Sequence, residues 1–182
     1  MRHLTNLEYL LLSLLHRQPA SGYALRKQFA TTPLGYYSDS PGSIYPALQR
    51  LKRRALLRVV KDPAPSGRRK TLFATTPKAL AELRSWAHSP ITLEEVRHDL
   101  PAIMLRFIIS AQLFGHAAAC EFLLQLGSRV QEVILELESY LCGPGKAHPL
   151  FGRLAVEQGL EGYRALAAWA ARAGQELHRG SS

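Results

Sequence analysis

The stretch from Ser38 to Arg54 constrains the fold most, because it reads as one helix with two opposed faces. Ile44, Ala47, Leu48 and Leu51 fall at i, i+3, i+4 and i+7, a single apolar stripe. Ser43, Pro46, Arg50 and Arg53 fall on the opposite side, flanked by Tyr45, Gln49 and Lys52. Such a helix rests its apolar face on a small core and offers the other face to a groove of duplex DNA. Pro46 restricts where the helix begins, since proline has no N–H and disfavours helical geometry in the residue before it. The first turn tolerates it, because those N–H groups have no partner in any case. Ser40, Gly42 and Ser43 all stand as caps, with Ser40 before Pro41 the neater chemistry.

The segments on either side supply the core. Thr5 can cap a first helix in which Leu7, Leu10, Leu11, Leu14 and Leu15 recur at 3-4 spacing. Leu4 and Leu12 lie off that stripe and point to a second covered face. Pro19 ends this helix, and Ser21 caps a second over residues 22–30, with Leu25 and Phe29 inward and Tyr23 outward. Residues 31–37 read as a loop, broken by Pro33 and Gly35. After Arg54 the pattern turns to short strands, Leu56 to Lys61 and Lys70 to Ala74. A turn-rich linker joins them, so Arg68, Arg69 and Lys70 form a basic hairpin tip. Three helices followed by a hairpin is the order of a winged helix-turn-helix. Thr76-Pro77 starts a fourth helix, to about His88, with Leu80, Leu83 and Trp86 inward. The chain thus divides into a DNA-binding domain, 1–89, and a second domain, 90–182.

Charge divides at nearly the same place. Residues 1–80 hold 14 Lys and Arg against three acids, a net of +11; residues 81–182 hold 9 against 11, a net of −2. A basic front and a near-neutral back suggest that the front meets a polyanion and the back something else. The back half is helical in pattern, so the fold class is mainly α with one small β-hairpin. Leu123, Leu126, Val130, Val133, Leu137 and Tyr140 step 3, 4, 3, 4, 3, a coiled-coil-like seam. A last helix over about residues 150–177 carries Leu166 and Trp169. These apolar faces exceed the needs of three helices in one chain. The excess predicts a homodimer through residues 92–177, with interface residues drawn from that seam, Leu166 and Trp169, and with help from Leu4 and Leu12.

Ser40-Pro-Gly-Ser-Ile-Tyr-Pro-Ala-Leu48, Leu51, Ser21-Gly-Tyr-Ala-Leu25 and the wing Gly67-Arg-Arg-Lys70 resemble the PadR family of bacterial transcriptional regulators over residues 4–88. The back half is similar to the longer helical domain of the branch related to virulence-gene activators. The resemblance implies a repressor, in some members responsive to phenolic or drug-like molecules, so a small apolar effector near Trp169 is weighed against a simply packed aromatic. The chain departs from the family at Phe73 (usually Tyr), at Thr75-Thr76 (usually Leu-Thr), at Ala79 (usually Gly) and at Ala55, where a glycine often ends the recognition helix.

Contacts divide by chemistry. Arg50 and Arg53 can be bidentate to guanine or phosphate, and Gln49 can pair with adenine. Ser43, Tyr45 and Tyr23 suit phosphate, and Pro46 lies on the same face. Arg68, Arg69 and Lys70 suit the backbone or the adjacent minor groove. A solvated face is the plain alternative for Lys52, Arg54, Arg58 and Lys61. A winged-helix module for protein contact is the competing function, and the basic wing counts against it. No nucleophile elbow, phosphate loop or His-Glu-x-x-His string appears, so no enzyme and no cofactor are expected. Glu94, Glu95, His98 and Asp99 could share a face for a metal but read as a solvated capping segment. Cys120 and Cys142 make no disulfide framework, and no apolar run reaches membrane length, so a cytoplasmic protein is expected.

Overall fold

The first helix begins where its cap predicts. In the computed structural model, which describes residues 3–37, 41–61, 71–147 and 149–180, α1 spans Asn6–Arg17. Thr5 Oγ1 accepts the Glu8 N–H at 3.3 Å, and the Glu8 carboxylate accepts the Thr5 N–H at 2.9 Å, a full capping box. α2 spans Gly22–Thr31, with Ser21 Oγ accepting the Ala24 N–H at 3.2 Å. Residues 33–37 are not the loop expected but a 3-10 helix, Pro33–Tyr37. Thr32 Oγ1 donates to the Gln28 carbonyl at 2.8 Å and lies 3.4 Å from the Leu34 nitrogen, which steers the chain into the tighter turn.

The third helix, α3, spans Ile44–Arg53, after a 3-10 turn over Pro41–Ser43. Ser43 occupies the cap position with helical angles, φ −72° and ψ −21°, and makes no side-chain cap bond. Pro46 is then the third residue of the helix, inside the turn whose N–H groups lack partners. Ser40 lies outside the described residues. At the other end the Leu56 N–H donates to Leu51 O at 3.0 Å and the Ala55 N–H to Lys52 O at 2.9 Å. This is a Schellman stop, and Leu51 and Leu56, the pair such a stop brings together, are both fully buried. Its left-handed residue is an alanine, Ala55 at φ 57°.

The hairpin pairs β1 (Leu57–Val60) with β2 (Leu72–Thr75) in antiparallel register, Leu57 opposite Thr75 and Val60 opposite Leu72. Ala20 adds a two-hydrogen-bond bridge to Phe73, at 3.1 and 2.9 Å. α4 spans Pro77–Ala87. Thr76 Oγ1 accepts the Ala79 N–H at 3.2 Å and donates to Ala55 O at 2.9 Å, so one hydroxyl starts α4 and holds the stop of α3. α1 packs on α3, α4 and β2. Leu11, Leu15, Leu25, Ile44, Leu48, Leu51, Leu56 and Leu83 are all but sealed from solvent. Trp86 is only half-buried and stacks flat on Tyr9 at 3.9 Å. Leu4 and Leu12, the residues off the stripe, are buried.

The chain forms two compact units, Met1–Ala87 and His88–Ser182. In the second, α5 (Leu93–His98) is closed by a Thr92–Glu95 capping box. α6 (Leu100–Phe114) is capped by Asp99, whose Oδ1 accepts the Ala102 N–H at 3.1 Å. Gly115 turns the chain at φ 82°. α7 (His116–Cys142) and α8 (Leu150–Gly180) then run as a long hairpin across a 3-10 turn, Pro144–Ala147. Its core joins Ile103, Phe122, Leu123, Leu126, Val130, Val133, Ile134 and Leu160.

One charge lies inside this unit. Arg106 is 2 % exposed. Its guanidinium meets both Glu95 oxygens at 3.1 Å, donates to Ser89 Oγ at 2.7 Å and stands 5.8 Å over the Phe122 ring. Burial pushes the Glu95 carboxyl up, but the Thr92 N–H and Arg106 outweigh it and hold the group below the usual carboxylate range. The pair therefore stabilises fully above the ordinary carboxylate pKa and weakens as pH falls through the depressed value.

These geometries carry two expected stability changes. Ala55→Gly removes the cost of a side chain in the left-handed region, partly offset by a looser unfolded chain, and should stabilise by about 0.5–1 kcal/mol in urea titration. Glu95→Ala leaves Arg106 buried without its carboxylate and should cost about 3 kcal/mol. The same titration repeated at acid pH should show that difference shrinking as Glu95 protonates in the parent.

Candidate nucleic-acid interface

The buried stripe of α3 fixes what its other side shows. Ile44, Ala47, Leu48 and Leu51 are withdrawn. Tyr45, Pro46, Gln49, Lys52 and Arg53 are exposed, and Ser43 is half-buried. Tyr23, in the first turn of α2, is 65 % exposed. Gly22, just before it, is buried. A Cβ there would lie 2.7 Å from Tyr45 Cε1, so only glycine lets the Tyr45 ring lie against the first turn of α2. Seven of the ten expected contact residues thus fall on described elements, Tyr23 on α2 and the rest on or at the head of α3. Arg68, Arg69 and Lys70 lie outside the described residues. Arg58 and Lys61, at the base of the wing, are exposed.

Arg50 has a different setting from the one its spacing suggests. It sits on the flank of α3 that faces α1, and its Nε donates to Glu8 Oε1 at 2.7 Å. Glu8 is 4 % exposed. Burial pushes its carboxyl up, but the Thr5 N–H and the Arg50 guanidinium outweigh that and hold it below the usual carboxylate range. Arg54, at the helix end, is engaged likewise. Its Nη2 donates to Glu82 Oε1 at 2.8 Å, and its carbonyl accepts Lys78 Nζ at 3.1 Å. Helical spacing gives no sign of Glu8 or Glu82 as partners. The available signal is their rarity, two of only four acids in the basic front unit.

The seam residues of α7 are placed differently too. Leu123, Leu126, Val130 and Val133 are buried in the core of their own unit, and Leu137, Leu166 and Trp169 pack against it. Trp169 meets Phe107 edge-on at 6.0 Å, a packed aromatic. Tyr140 is half-buried near the end of α7. The apolar side chains left exposed are others: Leu124 and Leu135 on α7, and Leu150, Phe151 and Leu154 at the start of α8. Leu124 and Leu135, eleven residues apart, share a face opposite the seam.

Around α5 the four residues with metal-ligand chemistry have other partners. Glu95 holds Arg106 and Thr92, Asp99 caps α6, and Glu94 lies 3.7 Å from His98. Among the described residues no group of three or more His, Cys, Asp or Glu could hold a metal ion. None of their helices is long and apolar enough to cross a membrane.

Residues 11–85 match the family model described as the transcriptional regulator PadR-like family. No curated protein matches the chain. Among solved structures, Bacillus subtilis PadR in complex with operator DNA is 20 % identical, covering 96 % of this chain and 99 % of that one at a TM-score of 0.43. A PadR-like transcriptional regulator from Bacillus cereus is 16 % identical, covering 97 % and 98 % at 0.43. A PadR family transcriptional regulator from Eggerthella lenta is 28 % identical, covering 57 % and 81 % at 0.37. With TM-scores below 0.5, these superpositions add no weight to the family match.

Proposed function

We propose, from the match of residues 11–85 to the PadR-like family of transcriptional regulators, that this protein is a sequence-specific repressor acting in the cytoplasm as a homodimer on a two-fold operator. The observation that carries the proposal is the exposed face of α3: Tyr45, Pro46, Gln49, Lys52 and Arg53, held outward by a stripe with almost no solvent exposure. Gln49 and Arg53 are the base readers, by bidentate hydrogen bonds to adenine and guanine in the major groove. Tyr23, Ser43, Tyr45 and Lys52 fix register on phosphates. Arg68, Arg69 and Lys70 complete the interface on the backbone beside the wing. A module for protein contact alone leaves this hydrogen-bonding, cationic face without a use.

One recognition helix has a small footprint, and specific binding normally takes two about 34–36 Å apart. The back unit is the dimer-forming part. The seam of α7 is occupied within its own chain, so the partner surface is the outward one, with Leu124, Leu135, Leu150, Phe151 and Leu154. A small apolar effector belongs to this proposal as a ligand that favours one spacing of the two recognition helices over another.

Three measurements test this. Gln49→Ala and Arg53→Ala should each cost about 1–3 kcal/mol at one defined base position, read by selection from a randomised duplex pool. The parent's log affinity should fall with log salt at a slope of about −6 to −9, and a salt-insensitive interaction would overturn the DNA assignment. In sedimentation, Leu135→Glu with Phe151→Glu should turn a dimer into a folded monomer with little operator affinity. Leu126→Glu should unfold the back unit instead, because it places a charge in a packed core. A parent that sediments as a monomer yet binds a palindrome tightly would exclude the dimer.

A further inference from the structure

The front unit contains four acids, and the two at described positions each hold an arginine of the recognition helix. Glu8 reaches Arg50 from α1, and Glu82 reaches Arg54 from α4. Four cations line the second half of that helix and its cap: Arg50, Lys52, Arg53 and Arg54. The pairing sorts them. The two on the flanks toward α1 and α4 are ion-paired, and the two on the outward face, Lys52 and Arg53, are exposed.

Glu8 is the stronger device. Its Oε2 accepts the Thr5 N–H at 2.9 Å and closes the cap of α1, which leaves Oε1 for the Arg50 Nε at 2.7 Å. Because the carboxylate is buried, solvent and salt screen this contact far less than a surface pair. The bond joins one atom of α1 to one side chain of α3. It therefore limits how far α3 can roll about its own axis on the core.

We infer that Glu8 is a positioning residue for sequence recognition: through Arg50 it fixes the roll of α3 and withholds one guanidinium from the DNA phosphates. The inference rests on the DNA-binding function proposed above. Withholding a cation serves specificity, because phosphate contacts strengthen binding to every sequence alike, whereas base contacts favour one. A released Arg50 would add affinity for any duplex, and a loosened α3 would blur its register on the bases.

The test uses the full chain with two probes of equal length: a duplex selected by the parent from a randomised pool, and a scrambled duplex. Glu8→Gln retains an amide that can close the capping box and removes the charge that holds Arg50. Its salt slope should steepen by about one unit, and the selected-over-scrambled affinity ratio should fall about tenfold. Arg50→Ala in the parent background should leave the slope unchanged, whereas Lys52→Ala, which removes a phosphate contact, should flatten it by about one. Adding Arg50→Ala to Glu8→Gln should return the slope to the parent value. If Arg50→Ala alone flattens the slope, Arg50 already meets DNA and the inference is overturned. It is overturned equally if Glu8→Gln melts like the parent and changes neither slope nor ratio. Should Glu8→Gln fail to fold, the Arg50→Ala slope decides alone. If the parent binds neither probe, the DNA function itself fails and the inference falls with it, a result distinct from failure of the variants.

Discussion

Everything in the front unit depends on the burial of one face of one short helix. Ile44, Ala47, Leu48 and Leu51 are closed off from solvent by α1, α2 and the start of β1. At roughly 1.5–3 kcal/mol per large apolar side chain, that burial outweighs any single polar contact in the unit. It sets the rotation of α3 coarsely, and the remaining features refine it. The Schellman stop fixes where the helix ends, Thr76 ties that stop to α4, and Gly22 gives the Tyr45 ring a bare backbone to rest on.

The two units place their charges by opposite logic. In the front unit, acids sit beside α3 and neutralise its flanks, leaving a strip of positive charge on one side. In the back unit a single arginine is drawn into the core, where Glu95, Ser89 and the Phe122 ring replace its hydration. Both arrangements use a helix-capping glutamate. Glu8 and Glu95 each occupy the third position of a capping box and each carry a second bond to a distant arginine.

Local signals in the sequence were enough for most of the fold. The caps at Thr5 and Ser21, the stripe of α3 and the Thr76-Pro77 start all act within a few residues, and all describe the structure. The exposed members of the candidate site follow from the same periodicity. What spacing could not supply was any fact about distant partners. Arg50 reads as outward on a helical wheel, and its acid lies 42 residues earlier. The 3-4 seam from Leu123 to Leu137 has the same form whether its mate is α8 of the same chain or a helix of another. The 3-10 helix at Pro33–Tyr37 was hidden because Pro33 and Gly35 are breakers of longer helices, not of a single tight turn.

The hairpin of α7 and α8 has a consequence for how the molecule assembles. Its two helices face each other across one short turn, so each new contact closes only a little more chain than the last, like the teeth of a zip. The front unit has no such route. Ala20 must find Phe73, and Thr76 must find Ala55, across the whole of α3 or of the hairpin. The later of the two units is therefore the one whose topology favours rapid ordering, while the earlier must wait for its distant strand.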